Sequence, residues 1–293
     1  MTNHFSMHNG TVEAPRTIIR KAIILAAGIG DRLQPFTHQF PKCLAPINGV
    51  PILVNALTHL SDVGVHEVVI VVGHHKEKIC ERVGDTFQDM KVTYIESEKY
   101  ATTNNIYSLW LARKHLIEDV LLLEADVFFE RRLLERMLSH VSGSLAAVSR
   151  HQSWMSGTVV SVNKSGNIQA LMDAREQGPD FDYSKVFKTA NIYLFRGDFL
   201  RRYFVPHLEA YVTSGDIDEY YEVILHAMAH RGKHDLRAVQ CDDLRWYEID
   251  DEVDRLDAEY LFSTQERRYE LISLIFRVSV PEYLGNLWRT RIG

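Results

Sequence analysis

The chain has 293 residues, of which 46% are hydrophobic and 25% charged, a composition typical of a globular protein with a substantial core. Its 33 Lys and Arg residues and 39 Asp and Glu residues give a formal charge of -6, so no overall basic field attracts a nucleic acid polymer. No apolar run approaches the ~20 residues that span a bilayer, which argues against integral membrane association.

The chain contains three cysteines, Cys43, Cys80 and Cys241. Their number is odd and their spacing does not match a metal site, which indicates reduced thiols in a cytoplasmic protein. Cys43 follows Lys42 in the sequence, and we interpret it as a packing residue rather than as a reactive thiol.

The two ends of the chain differ in composition from its middle. The polar start lacks the apolar segment of a secretory signal, and we expect residues 1–19 to form a disordered extension. Residues 20–262 are expected to form the main domain and residues 263–293 a helical tail. The tail contains aliphatic residues flanked by arginines. Three interpretations fit this pattern: the tail packs on the main domain, forms a homodimer contact, or binds to an anionic surface.

From Lys21 onward, short apolar runs alternate with helical stretches. The runs AIILAA, HEVVIVV and KVTYIE predict buried strands, and the segments between them predict amphipathic helices. In the first helix, Pro51 suits the first turn and Gly64 the end. The pattern predicts an α/β protein with a doubly wound, Rossmann-like three-layer fold and a mixed, mainly parallel central sheet.

The second half of the chain begins with a predicted helix in TTNNIYSLWLA and a buried strand that runs into Asp126. Carboxylates at the carboxyl end of a core strand lie where open α/β sheets bind ligands. Strands separated by Gly, Asn and Ser follow, and we expect them to extend the sheet and form a substrate lid. Further helices are predicted over residues 198–211 and 217–231.

Gly28 and Gly30 follow the first strand, and Arg32 and Lys42 come shortly after them. Glycines permit close approach of the backbone to a ligand, and their amides can point at phosphate oxygens. The stretch lacks the GK[ST] of a Walker A loop, and Leu33 stands where a dinucleotide loop needs its third glycine. The combination of glycines with cations predicts a site for an anionic ligand.

The stretch LAAGIGDRLQPFTHQFPKCLAPINGVPIL resembles the N-terminal signature of nucleotidyltransferases that activate sugar phosphates and related small phosphates. The resemblance extends over roughly residues 20–262, which would make this span a nucleotidyltransferase domain. It implies that Arg32 holds the departing pyrophosphate and that Lys42 contacts the reacting phosphates. The nucleotide-binding positions that it implies in and near the loop are Ala26, Ala27, Gly28, Gly30 and Gly73.

The same resemblance implies that Asp126 and Asp250 hold Mg²⁺. A phosphate monoester is mostly ionised at neutral pH, its second pKa being about 6, so it needs charge neutralisation rather than a general base. Mg²⁺ usually takes one or two carboxylates plus substrate phosphates. Alternatively, Asp126 caps a helix and EIDDEVD is a solvated acidic turn, and Asp251 or Glu248 replaces Asp250. Glu124 is interpreted as supporting the metal ligands.

Sugar-specific members usually carry small residues where this chain has ATTNNIYSLWLA. This stretch, with FKTANIYLF and YEIDDEVDRLDAE, resembles the phosphocholine and aminoalkylphosphonate cytidylyltransferases instead. The resemblance implies that Asn104 and Ser108 contact the nucleotide, that Asn105 contacts the acceptor, and that Lys188 meets the acceptor's phosphoryl group. Helix capping is an equally simple interpretation of the two asparagines.

A positively charged acceptor needs carboxylates or aromatic faces near its cation. Candidates for this role lie on one predicted helix, at Glu219, Tyr220, Tyr221 and Glu222, and Trp154 is a further candidate wall. An exposed acidic turn with core tyrosines is the alternative interpretation.

The sequence therefore predicts a Mg²⁺-dependent enzyme that transfers CMP from CTP to a small phosphate or phosphonate, such as phosphocholine or 2-aminoethylphosphonate, and releases pyrophosphate. CTP follows from the resemblance alone. A sugar-1-phosphate nucleotidyltransferase using UTP or dTTP is the first alternative. A non-catalytic nucleotide sensor is the second, although it would be expected to lose Arg32, Lys42 or Asp126. Leu33 disfavours a nicotinamide oxidoreductase.

Overall fold

The structure, a computed structural model, describes residues 17–141, 143–230 and 236–263. Its strands are β1 (Lys21–Ala26), β2 (Pro46–Ile47), β3 (Val50–Pro51), β4 (Glu67–Val72), β5 (Thr86–Phe87), β6 (Met90–Glu96), β7 (Val120–Glu124), β8 (Val127–Phe129), β9 (Ser144–Arg150), β10 (Val159–Val162), β11 (Ile168–Met172), β12 (Phe187–Phe195), β13 (Leu236–Gln240) and β14 (Trp246–Glu248). Its α-helices are α1 (Ile52–Asp62), α2 (Lys76–Val83), α3 (Asn105–Leu111), α4 (Arg132–Leu138), α5 (Gly197–Phe199), α6 (Val205–Ser214), α7 (Glu222–His230) and α8 (Glu252–Phe262).

A ten-stranded sheet forms the middle of the molecule, and its main path runs β11-β10-β12-β7-β1-β4-β6-β5. At its centre β1 pairs in parallel with β4 and β7, and β4 pairs in parallel with β6. The later strands β9 to β12 extend the sheet with antiparallel pairs, while β13 returns parallel to β9. The predicted α/β class with a mixed sheet and a parallel centre is confirmed.

Helices cover both faces of this sheet because alternate residues of its central strands point to opposite sides. In β1, Ile24 joins a core that also contains Leu57 of α1 and Leu134 of α4. The neighbouring Ile23 joins a second core on the other face, which contains Leu109 of α3. The predicted three-layer arrangement follows from this division of one strand between two cores.

The carboxyl ends of β1, β4 and β7 meet at one edge of the sheet, since all three strands run in the same direction. The backbone register places Ala26 beside Val72 and Leu25 beside Glu124. A third, smaller core lies next to this edge and joins Leu33 to Ile249. It fixes the loop after β1 and the segment before α8 at the same edge, where doubly wound sheets bind ligands.

The two helices predicted in the second half differ in their bounds from the observed ones. The helix predicted over 198–211 is longer, because α5 and α6 are continuous through a π-helical segment, Leu200–Phe204. The helix predicted over 217–231 begins only at Glu222. The residues before it form a turn whose carbonyls, at Ile217 and Glu219, accept hydrogen bonds from the amides of Asn104 and Ile106.

Of the predicted N-terminal extension, residues 17–19 lie within the described part of the chain. The amide of Thr17 donates to the Leu138 carbonyl at 2.8 Å, and Ile19 is buried, so these two residues pack on the domain, whereas Ile18 between them is exposed. The predicted helical tail lies outside the described residues except for Ser263. No helix in the described part of the chain is both long and apolar enough to cross a membrane.

Candidate active site

A cleft of about 600 Å³ opens at the carboxyl edge of the sheet, a volume in the range of small-molecule sites. Of the residues predicted for the site, those that line the cleft are Ala26, Ala27, Gly28, Gly30, Arg32, Lys42, Asn104, Asn105, Ser108, Asp126, Glu222 and Asp250. The cleft has two ends of different chemical character. The basic end consists of Gly28, Gly30, Arg32 and Lys42, and the acidic end consists of Asn105, Glu124 and Glu222.

Glycine occupies the two positions of the basic end, 28 and 30, for different structural reasons. Gly30 adopts the left-handed conformation (φ 72°), and a Cβ there would lie 2.8 Å from Cβ of Lys42. Only glycine therefore lets the Lys42 side chain pass. A Cβ on Gly28 would meet nothing within 4 Å, so this glycine leaves open space where a ligand can approach the backbone.

Gly73 supports the loop from behind and does not line the cleft. A Cβ at this position would lie 2.7 Å from the Ala27 carbonyl oxygen and 2.8 Å from Cβ of Tyr100. The amide of His74 donates to the same carbonyl at 3.1 Å. The close packing of two backbones explains this glycine without a direct ligand contact.

Lys42 connects two carboxylates from distant parts of the chain. Its Nζ donates to Asp126 Oδ2 and to Asp250 Oδ1, both at 2.9 Å, and Arg32 Nη2 lies 2.8 Å from Asp250 Oδ1. Burial alone would lower the pKa of Lys42, but the two carboxylates outweigh it and raise this pKa. Burial likewise opposes ionisation of Asp250, yet Lys42 and Arg32 hold its pKa below the ordinary value. Lys42 and Asp250 are therefore both charged at neutral pH.

Asp126, Glu248 and Asp250 form the candidate metal site, because one oxygen from each lies within 4.8 Å of the others. Oδ1 of Asp126 is buried and has no hydrogen-bond partner, so the carboxylate has a ligand position to spare. An all-oxygen set of this kind fits a hard cation such as Mg²⁺. Asp251 is not part of it, because its side chain caps α8 by accepting from the amides of Val253 and Asp254.

Lys188 lies behind Glu248 and borders only a small neighbouring pocket. Its residue is 1% exposed, and its Nζ is 2.8 Å from Glu248 Oε2 and donates to the Thr189 carbonyl at 2.7 Å. Asn191 Nδ2 donates to Glu248 Oε1 at 3.0 Å. Burial raises the pKa of Glu248, and Lys188 opposes this rise. The lysine thus orients a carboxylate of the site, which differs from the predicted direct contact with the acceptor.

At the acidic end, the side-chain amide of Asn105 connects β7 to the segment before α7 through hydrogen bonds. Asn105 Nδ2 donates to Glu124 Oε1 at 3.2 Å, and Asn105 Oδ1 accepts from the Tyr221 amide at 2.9 Å. Burial raises the pKa of Glu222 to about 7. Burial, the nearby Glu222 and Asp126 together raise the pKa of Glu124 well above its ordinary value. Glu124 also lines the cleft itself.

Two predicted acceptor residues lie elsewhere. The ring of Tyr221, the residue before α7, is fully buried and packs edge-on against Tyr193; Tyr220 lines the cleft instead. Trp154 stacks on Tyr247 with ring centroids 4.6 Å apart and borders the small pocket. Neither of these two predicted aromatic walls reaches the cleft.

Asn191 lines the cleft although the sequence did not single it out for the site, and the predicted candidate Tyr220 lines the cleft as well. Asn191 lies where the pairing of β12 with β9 shifts register, and its φ of 53° is unusual for a strand residue. The signal available in the sequence was a polar residue inside the apolar run KTANIYLF. Both interpretations of Asn104 agree with its position. Its side chain caps α3 by accepting from the Asn105 amide at 2.8 Å, and the residue also lines the cleft.

The family model of the MobA-like NTP transferase domain matches residues 22–190. This match contains the whole basic end, β7 and Asp126. The chain belongs to this family. Asp250, Glu222 and Glu248 lie beyond the matched residues.

Two relatives extend this comparison. The chain is 38% identical over 281 residues to the CMP-5'-(3-aminopropyl)phosphonate synthase of Streptomyces rubellomurinus, a match that covers 96% of this chain and 44% of the relative. It is 34% identical over 122 residues to the choline-phosphate cytidylyltransferase of Streptococcus pneumoniae, which covers 41% of this chain and 50% of the relative. The chain thus spans about half the length of these relatives or less.

Among solved structures, the CTP:phosphocholine cytidylyltransferase from Streptococcus pneumoniae superimposes with a TM-score of 0.71. The alignment covers 84% of this chain and all of the other, at 22% sequence identity. At this identity the likeness establishes the shared fold.

Proposed function

We propose that the chain is a nucleotidyltransferase that transfers CMP from CTP to a small phosphate or phosphonate, such as phosphocholine or 2-aminoethylphosphonate, and releases pyrophosphate. The observation that carries this proposal is the Lys42 bridge. It brings the cations of a phosphate-binding loop against Asp126 and Asp250 at the ligand-binding edge of the sheet. Family membership supports nucleotide transfer, and the two relatives support cytidine and an aminoalkyl or choline acceptor.

The residues of the basic end would bind the triphosphate. Gly28 leaves the backbone open to it, and Arg32, whose side chain is 67% exposed, is free to turn from Asp250 to the departing pyrophosphate. Lys42 is placed between both carboxylates and the loop, where its charge offsets the repulsion between two phosphate anions. Asn104 and Ser108 are proposed to contact the nucleotide from α3.

Asp126 and Asp250, with Glu248, would hold Mg²⁺, which when bound supplies positive charge beside the reacting phosphates. The chain's own part is to keep these three oxygens together. Lys188 and Asn191 do this for Glu248 by binding its two oxygens. The acceptor's ionised oxygen needs no general base, and none of the described residues of the cleft is a histidine.

Pyrophosphate release tests the proposal. CTP, UTP, dTTP and ATP would each be combined with phosphocholine, phosphoethanolamine, 2-aminoethylphosphonate and glucose 1-phosphate, with and without Mg²⁺. We expect pyrophosphate release only with CTP, an alkyl acceptor and Mg²⁺, with a CMP-linked product visible by ³¹P NMR. Release only with glucose 1-phosphate would assign the protein to the sugar branch. Nucleotide binding without release in any mixture would favour a sensor.

A further inference from the structure

The acidic end of the cleft contains two buried carboxylates that form no ion pair with any described residue. Glu222 is 6% exposed and lines the cleft, yet its Oε2 has no hydrogen-bond partner. Glu124 also lines the cleft and receives one hydrogen bond, from Asn105. Asn105 connects the two positions, because it donates to Glu124 and accepts from the amide of Tyr221, the residue before Glu222.

Lys188, whose charge opposes the rise of both glutamate pKa values, makes its direct contacts elsewhere. Lys188 holds Glu248 and the Thr189 carbonyl with its ammonium, and it reaches only the small pocket. Within the residues that the structure describes, neither Glu124 nor Glu222 forms an ion pair. Carboxylates buried without a cation are unfavourable, so a ligand that brings a positive charge to this end of the cleft gains affinity from both.

The lining distinguishes between two kinds of ammonium group. A trimethylammonium cannot donate hydrogen bonds and is usually bound by several aromatic faces. Here Trp154 is stacked on Tyr247 and Tyr221 is buried in the core. Among the described residues, the aromatic residues that line the cleft are Tyr220 and Tyr100, and Tyr100 packs against Gly73 behind the loop of the basic end. A primary ammonium carries three donors, as lysine does, and both carboxylates have free acceptor positions for them.

We propose that the acceptor carries a primary ammonium group bound by Glu124 and Glu222, and that the site discriminates against quaternary ammonium compounds. This inference rests on the proposed transfer reaction and narrows its acceptor. It assigns Glu124 a specificity role alongside Glu222. It also predicts that a neutral alkyl acceptor of the same length binds poorly.

Two matched pairs of acceptors test the inference through kcat/KM for pyrophosphate release with CTP and Mg²⁺. Phosphoethanolamine and phosphocholine differ only by methylation of the nitrogen, and 2-aminoethylphosphonate and propylphosphonate differ in having an ammonium or a methyl group. In each pair we expect the primary ammonium compound to be favoured by roughly 100-fold, because the other leaves buried acceptors unpaired.

Variants assign the effect to the carboxylates. Glu222→Gln and Glu124→Gln keep the side-chain size and remove the charge, so each should lower kcat/KM for phosphoethanolamine by roughly 30-fold. The kcat/KM for propylphosphonate should not fall, because this acceptor brings no cation to the carboxylates. Glu209→Gln is the matched control, since Glu209 is half exposed and pairs with Arg113 on the surface. CTP binding, measured by calorimetry, shows whether each variant keeps a competent nucleotide site.

The outcomes separate the inference from the proposed function. Equal turnover of phosphocholine and phosphoethanolamine, or equal losses for charged and neutral acceptors, would overturn the inference and leave the transfer reaction standing. Absence of both CTP binding and turnover in the unmodified protein would overturn both. If a glutamine variant does not fold, the two acceptor pairs on the unmodified protein still decide the question.

Discussion

The two ends of the cleft are built in different ways. The basic end comes from one stretch of chain, residues 28–42, in which glycines and cations follow a strand. The acidic end joins side chains of α3, β7 and α7, which are far apart in sequence. At the basic end opposite charges neutralise one another, whereas at the acidic end like charges lie buried together. A ligand must therefore displace ion pairs at one end and supply a missing cation at the other.

The largest effect is expected where the two ends meet, at Asp126. Asp126→Asn keeps the side-chain volume but removes the charge that would hold the metal, and we expect turnover to fall roughly 1000-fold. Pyrophosphate release over a Mg²⁺ titration measures this. Asp243→Asn, at an exposed aspartate paired with Arg136, serves as the control, and a variant of Asp126 with normal activity would exclude it from the metal site.

Lys42→Met tests the basic end through both the rate of turnover and the stability of the folded protein. Removing a charge that meets the transition state costs about 3 kcal/mol, which is roughly 100-fold in rate. Without Mg²⁺ the variant should also unfold more easily, because Asp126 and Asp250 lose their shared partner. Added Mg²⁺ should stabilise the variant more than the unmodified protein, in which Lys42 competes for the same oxygens.

Thermal unfolding with and without Mg²⁺ measures this difference. Lys185→Met provides the comparison, since Lys185 is 79% exposed and pairs with Asp182 on the surface, and exposed pairs contribute little to stability. An equal response of Lys42→Met and the unmodified protein to Mg²⁺ would show that the lysine and the metal do not compete.

The contrast between the ends also explains what the sequence could predict. The order of strands and helices and the residues of the basic end follow from local patterns, because glycine conformation and apolar periodicity act over a few residues. The acidic end depends on how α7 begins. The turn that delays this helix to Glu222 results from hydrogen bonds to residues more than a hundred positions earlier, and it decides that Tyr220 rather than Tyr221 faces the cleft.

The like charges of the acidic end predict a pH effect of definite sign. Burial raises the pKa of Glu222 from 4.5 to about 7, so the folded state binds its proton more tightly than the unfolded state. Its contribution to stability is present at low pH and is lost as the pH rises between these two values. Between pH 5.5 and 8 this loss is on the order of 2 kcal/mol.

Urea unfolding of the unmodified protein and of Glu222→Gln at these two pH values tests the effect. Glu124 and Glu248, whose pKa values are also raised by burial, add losses of the same sign in both proteins, so the variant should lose less stability rather than none. The same loss in both proteins would mean that Glu222 ionises in the folded state as it does in water.

The smallest expected effect separates two glycines of the cleft region. Gly73→Ala places a methyl group 2.7 Å from the Ala27 carbonyl oxygen, and because a backbone atom cannot move aside cheaply, we expect a loss of about 1–3 kcal/mol in stability. Gly28→Ala adds a methyl group where nothing lies within 4 Å, so stability should hardly change while CTP binding weakens. Unfolding experiments should show the loss of stability in Gly73→Ala, and calorimetric titration should show the weaker CTP binding in Gly28→Ala. If both variants lost stability alike, Gly28 would be needed for the fold and not for the space it leaves, and the basic end would be less open to a triphosphate than the cleft geometry indicates.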